Sequence, residues 1–274
     1  MGMPWTSDHT KWLVDTGERL KTADGKEVEV WEFRHEKDEA VLSRWAKHFR
    51  NHYCFDSKID YWRKGYRYSR REYLNVIKFP DPKDAPGPSI RAGDFGEVLV
   101  ADFLEYLRDY WVPRTRYGNK TSRNESTKGS DVIGFQIFKD GKVSSEDRLA
   151  IFEVKAQFSG KKAKARLQDA VNDSAKDPIR KGESLNAIKH RLEERNEFDE
   201  AEKIERFQSV VDLPYKEVYG AVALFENPLF DSQLASTTDA SSHPHSDDLV
   251  LVVIKGEQMM ALVHELYRRA ADEA

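Results

Sequence analysis

Residues 149–156 read LAIFEVKA. As an extended strand, this stretch sends Ala150, Phe152, Val154 and Ala156 to one face. Leu149, Ile151, Glu153 and Lys155 go to the other, and Gln157 continues that second face. The first face is wholly apolar and belongs in a core. The second begins apolar and then presents a carboxylate, an ammonium and an amide in succession. Burying a charge beside apolar neighbours is expensive unless something neutralises it. A bound divalent cation would neutralise Glu153, leaving Lys155 to offset charge developing on a phosphate. A cross-strand ion pair near a sheet edge is the plainer account of the same pattern.

Upstream, KGSDVIGFQIF (128–138) reads as a neighbouring strand with Asp131 at its mouth, after a Gly-Ser turn. Hard cations such as Mg²⁺ take oxygen ligands and keep several waters, so two carboxylates from adjacent strands suffice. A turn aspartate bonded to its own backbone is the ordinary alternative. Further upstream, 90–110 reads as a long helix, RAGDFGEVLVADFLEYLRDY from Arg91. At about 100° per residue, Asp102, Glu105 and Asp109 form its polar stripe. Glu97 lies roughly 140° away from Asp102, on the side of Val100, Ala101 and Leu104. An inward carboxylate needs a partner, either Arg108 on that general side or a shared site with Asp131 and Glu153.

The rest of the chain supplies an α/β frame. PDPKDAPGPS (80–89) breaks both helix and strand and divides an N-terminal α+β region, 1–84, from a larger unit, 85–274. Before it, 28–33 alternates as a strand and 36–50 reads as a helix with Val41, Leu42, Trp45 and Phe49 on one face. CFDSKIDYWRKGYRYSRREYL (54–74) mixes Tyr, Trp and Arg; such a mix stacks bases in some proteins and more often forms a small core with snorkelling arginines. After 156, helices are expected at 161–176 and 185–207, strands at 218–225 and 249–254, and a closing helix at 257–271. The segment 232–248, SQLASTTDASSHPHSDD, reads as a mobile surface loop carrying exposed His243 and His245. WVPRTRYG (111–118) is the candidate for a further strand. Helices alternating with short apolar strands give a mixed central sheet flanked by helices.

Composition narrows the function. The chain has 274 residues, 39% hydrophobic and 34% charged, with a formal net charge of −4. That describes a folded, soluble protein rather than a disordered one. No run of about 18 apolar residues offers a membrane span, and no secretory signal is legible at the start. The single cysteine, Cys54, permits neither an internal disulfide nor a thiolate zinc cage, so a reducing cytoplasm is the expected compartment. His48 and His52 stand one helical turn apart near Cys54 but lack a fourth ligand. Basic residues flank the acidic centre: Arg114, Arg116, Lys120, Arg123 and Lys128 before it, and Lys161, Lys162, Lys164 and Arg166 after it. Such flanks suit a phosphate backbone, and they equally suit solvated loops. Among them Arg114, Arg116, Lys128, Lys162 and Lys164 are the candidate DNA contacts. No phosphate-binding loop is present, so an ATPase role is not expected.

A helix with an inward Glu, a strand opening on Asp, a strand carrying ExK, then a helix and a buried strand is the layout of the PD-(D/E)xK nuclease core. More specifically, RAGDFGEVLVADFLEYL, KGSDVIGFQIF and LAIFEVKAQ, followed by LQDAVNDSAKD and LNAIKHRL, resemble the HamA family of Hachiman anti-phage defence systems. The likeness implies a restriction-endonuclease-like core and a cytoplasmic DNA-degrading effector restrained by a superfamily 2 helicase partner, HamB. It implies Asp131, Glu153 and Lys155 as the catalytic residues, Glu97 as an auxiliary, and Mg²⁺, or Mn²⁺ in its place, on Glu97, Asp131 and Glu153; Gln157 joins as an auxiliary by its strand position only. Two other readings compete. One is a non-catalytic subunit docking a helicase through its charged helix, HRLEERNEFDEAEKIERF; the other is a stand-alone restriction-type nuclease.

Overall fold

The computed structural model describes residues 4–138 and 143–274. Strands β1 (Leu13–Lys21) and β2 (Glu27–Phe33) open the chain. Helices α1 (Glu39–Tyr53), α2 (Asp56–Arg63), α3 (Arg70–Tyr73) and α4 (Gly87–Leu107) follow. Next come β3 (Val132–Gln136), β4 (Arg148–Gln157), α5 (Arg166–Ser174), α6 (Asp177–Glu194) and α7 (Phe198–Glu205). The chain closes with β5 (Lys216–Glu226), α8 (Ser232–Ser236), β6 (Val250–Gly256) and α9 (Met259–Asp272). The six strands form one sheet in the order β1-β2-β6-β5-β4-β3. Its outer pairs are antiparallel and its inner pairs parallel, so the fold is mixed α/β. Among the described residues no helix is long and apolar enough to cross a membrane.

The alternation expected for β4 sets the layers. Ala150, Phe152 and Val154 pack into one core with α1, α4 and α9. Leu149 and Ile151 pack into a second core with α5, α6 and α7. Inner strands covered on both faces read as near-continuous apolar runs, as VYGAVALF in β5 and LVVI in β6 do. The segment 80–89 lies between two parts of one structure. Strand β2, from the first 84 residues, pairs with β6, and α1 shares a core with α4 and α9.

Several expectations are corrected. Strand β1 was not foreseen: it is a mostly exposed edge strand whose register shifts between Asp15 and Arg19, with Gly17 at φ +74°. The bulge destroys the alternation on which a sequence reading depends. The stretch 111–118 is not a strand. Trp111 makes a single bridge to Phe135, and the backbone then turns at Arg114, φ +50°. The helix expected at 185–207 is two, α6 and α7. It begins earlier, with Pro178 in its first turn, and breaks at Asn196, whose φ of +61° is a left-handed helix stop. The segment 232–248 is strapped down. It contains α8, Gln168 bonds both the N–H and the carbonyl of Asp239, and Ala240 and His243 are buried. His245 stacks on Tyr219 with ring centroids 4.2 Å apart, so neither histidine is the free surface group expected.

Candidate functional site

The site forms where β3 begins. Val132, the first residue of β3, pairs opposite Phe152, so among the described residues β4 has no strand on that side from Glu153 onward. Asp131, one residue before β3, covers the exposed edge: its Oδ2 accepts the Val154 N–H at 3.0 Å. Glu153 and Lys155 flank Val154 on the opposite face of the strand from it. Lys155 Nζ pairs with Glu153 Oε1 at 2.6 Å and with Asp173 Oδ2, from α5, at 2.7 Å. The other Glu153 oxygen, Oε2, is buried without a partner.

Glu97 arrives from α4 and Arg116 from the loop after it. The Arg116 guanidinium stands between two carboxylates, with Nε 2.7 Å from Glu97 Oε2 and Nη2 2.7 Å from Asp131 Oδ1. The first contact is close but misaligned, since the Nε–H finds no hydrogen-bond acceptor. Arg116 also donates to the carbonyls of Ser130 and Thr127, and the Tyr117 hydroxyl donates to Glu97 Oε2 at 2.5 Å. One turn before Glu97, Asp94 takes Lys120 at 2.5 Å and the Tyr53 hydroxyl at 2.6 Å. A cavity of about 70 Å³ opens beside Arg116 and Asp131, lined also by His52, Lys128, Ser184 and Arg191.

Crowded acids show their strain in their protonation. Burial pushes the Glu97 carboxyl up to about 8, with Asp131 and Asp94 adding to it against Arg116. Glu153 is pushed up to about 8 by burial and by Asp131, against Lys155. Asp177, which accepts from the Ser130 hydroxyl at 2.9 Å, is raised to about 6 by burial and by Asp131. Lys155 moves the other way: burial opposes its charge, but Glu153 and Asp173 outweigh burial and hold it protonated.

The predicted residues therefore divide. Asp131, Glu153 and Lys155 meet at one strand edge, and Glu97 is tied to Asp131 through Arg116. The donor set suits a hard cation: it is all oxygen, it includes one orphaned carboxylate oxygen, and two acids are raised by burial and, second to it, by neighbouring negative charge. The expected trio around a single ion is not formed, however. Among the described residues no three His, Cys, Asp or Glu side chains stand close enough together to hold a metal. The reason is Arg116, which fills the space between Glu97 and Asp131. Gln157 spends its amide bracing the next loop, donating to the Lys162 carbonyl at 2.8 Å and accepting the Lys164 N–H at 3.0 Å.

The basic flank before the site faces inward, contrary to expectation. Arg114 is buried and pairs with Asp102 (2.6 Å) and Glu105; Lys120 pairs with Asp94, and Arg123 with Asp81 (2.7 Å). Of the five cations only Lys128 is exposed, along with Lys161, Lys162 and Lys164 after the site. Asp102, expected on an outward stripe, is fully buried between His9 (2.8 Å), His48 (3.1 Å) and Arg114. Asp109 lies past the end of α4, and Arg108 pairs with Glu29 rather than Glu97. His48 and His52 belong to this buried network and not to a zinc site: Arg114 Nη1 lies 3.1 and 3.0 Å from their Nε2 atoms. Asp173 and Asp177 were not anticipated. Both lie in the helical region after β4, where nothing in their spacing marks them as neighbours of Lys155 and Ser130.

Among curated proteins none matches the chain. The family model for HamA matches it from residue 8 to residue 270, which takes in the strand edge with its acids, the helix bearing Glu97 and the N-terminal strands alike. The chain belongs to the HamA family.

Proposed function

We propose that this chain is a metal-dependent DNA phosphodiesterase of the PD-(D/E)xK type, acting as the effector of a Hachiman-type defence system under the restraint of a helicase partner. One observation carries the reading: Asp131 laid on the bare edge of β4 between Glu153 and Lys155, with a Glu153 oxygen buried and unpaired. A buried carboxylate oxygen that no protein donor satisfies is open to a ligand from outside the chain.

In this reading Asp131 and Glu153 would hold a Mg²⁺ ion, with Glu97 joining once Arg116 moves aside. Bound there, the metal would supply Lewis-acid polarisation and a water of lowered pKa. The chain's own groups do the rest. The Val154 N–H fixes Asp131 in place. Lys155, held protonated by two carboxylates, offers positive charge to a phosphate oxygen. Glu153 is raised by burial and, after that, by the charge of Asp131, so a cation nearby would favour its ionised form. The exposed Lys128, Lys162 and Lys164 meet the backbone without reading sequence.

Purified chain with plasmid DNA tests this. Cleavage is expected with Mg²⁺ or Mn²⁺, none with EDTA, and a loss of about a hundredfold or more from Glu153→Ala or Lys155→Ala. Wild-type cleavage by either variant would falsify the assignment. A second reading, a non-catalytic docking subunit, draws on Arg116, which already neutralises Glu97 and Asp131 as a purely structural polar core would. Helicase binding with plasmid left intact under Mg²⁺ would favour it.

A further inference from the structure

Beside the site cavity, and sharing His52 and Arg191 with it, runs an open groove of about 650 Å³ between α2 and the C-terminal end of α6. Two features of this groove are unusual for the molecule. The first is aromatic: Tyr61 is 81% exposed and Trp62 38% exposed, on a helix whose only buried residue is Ile59. Trp62 is held from one side by Lys78, whose ammonium lies 4.8 Å from the ring centroid and donates to the Gly118 carbonyl at 3.2 Å. The second is charge. Most arginines here sit in ion pairs, yet among the described residues Arg191 and Arg195 have no carboxylate within ion-pair distance, and neither has Lys58, which lines the groove with them. Arg195 is instead spread over Phe55, 4.7 Å from its centroid. Two acids, Glu194 and Glu197, also line the groove; Glu194 accepts from Asn119 at 3.3 Å, and the two act on Arg191 and Arg195 at longer range without forming an ion pair with either.

Exposed flat rings beside unpaired cations in a narrow groove are the recognition chemistry of a single nucleic-acid strand. Bases stack on the rings whatever their identity, and the cations follow the phosphates. A paired duplex hides its bases and cannot use the rings. We infer that this groove binds single-stranded DNA and leads it to the acidic strand edge, Tyr61 and Trp62 being the stacking platform and Lys58 and Arg191 the phosphate contacts. The inference rests on the nuclease reading for where the strand goes, but not for whether it binds.

The test is fluorescence anisotropy of a labelled oligothymidine and of a hairpin duplex, with the full chain in EDTA. The single strand is expected to bind more tightly. Tyr61→Ala and Trp62→Ala each weaken it about tenfold, while Tyr61→Phe and Trp62→Phe, which keep a ring, bind as wild type. Lys58→Ala and Arg191→Ala each reduce the slope of log affinity against log salt by about 0.7. Strand affinity within about twofold of wild type in the Tyr61→Ala/Trp62→Ala double variant overturns the inference. So does a duplex bound as tightly as the strand, and so does the absence of strand binding, which would leave the groove to a protein segment. Because no cleavage runs in EDTA, the two readings fail separately. Strand binding through the groove without plasmid cleavage under Mg²⁺ sinks only the nuclease. Cleavage by a chain whose alanine variants bind normally sinks only the groove.

Discussion

At the residue scale, the chemistry turns on how few charges serve several acids. Arg116 neutralises Glu97 and Asp131 together, and Lys155 serves Glu153 and Asp173. Removing Lys155 need not unfold the chain, because Glu153, already raised to about 8, can take a proton near neutrality. Lys155→Ala is therefore expected to lower cleavage by about a hundredfold or more with a nearly unchanged melting temperature, read by a plasmid assay beside thermal denaturation. The raised acids also set a pH trend. A carboxyl near 8 in the folded chain and near 4.5 in the unfolded one binds its proton more tightly when folded. Its stabilising contribution is complete below the unfolded value and is lost as pH rises through the folded one. The urea midpoint should thus fall between about pH 5 and pH 9, and Glu97→Gln should flatten that fall. A wild-type midpoint that climbed across this window would contradict the placement of Glu97.

At the scale of elements, the site depends on β3 being short and β4 long. Their pairing ends at Val132 and Phe152, and what lies beyond is the edge that Asp131 covers. The register of β4 is held from its other side by β5, where Gly220 sits opposite Phe152. A Cβ at Gly220 would come within 2.4–2.6 Å of the Phe152 ring. Gly220→Ala is expected to cost about 1–3 kcal/mol by overpacking, measurable by urea denaturation. It should also blunt cleavage, since Phe152 precedes Glu153 on the same strand. An alanine accepted without loss of stability would mean that the two strands pack otherwise.

At the scale of the whole molecule, the N-terminal region is part of the structure that carries the site. Its Asp102 network joins His9, His48 from α1, and Asp102 and Arg114 from α4 and beyond, all buried. Burial alone would raise Asp102, but His48, Arg114 and His9 outweigh it and hold the carboxyl well below the usual range. Arg114→Ala strands that charge in the interior and is expected to cost about 3–5 kcal/mol, seen as an early thermal transition. A chain beginning at residue 85 loses β2 from the edge of β6 and bares a row of unpaired backbone groups. It is expected to aggregate, as size-exclusion chromatography would report; a monomeric, cleaving fragment would show that the first 84 residues are dispensable.

Period and order in the chain were enough to establish β4 and its two faces, the buried strands β5 and β6, the long helix bearing Glu97 and the succession Glu97, Asp131, Glu153, Lys155. Alternation of side chains is a local property of the backbone, so it survives in a one-dimensional reading. The bounds of α6 differ from those expected, although Pro178 in its first turn and Asn196 past its end have backbone preferences that fit them. What folding alone settled is which charges meet. Asp102 reads as a surface residue by angle on its helix and is buried because His9, His48 and Arg114 converge on it from three distant segments. Arg116 reads as a ligand for phosphate and is instead the cation between two acids. Electrostatic partners are chosen by distances in space, and sequence separation says nothing about those distances.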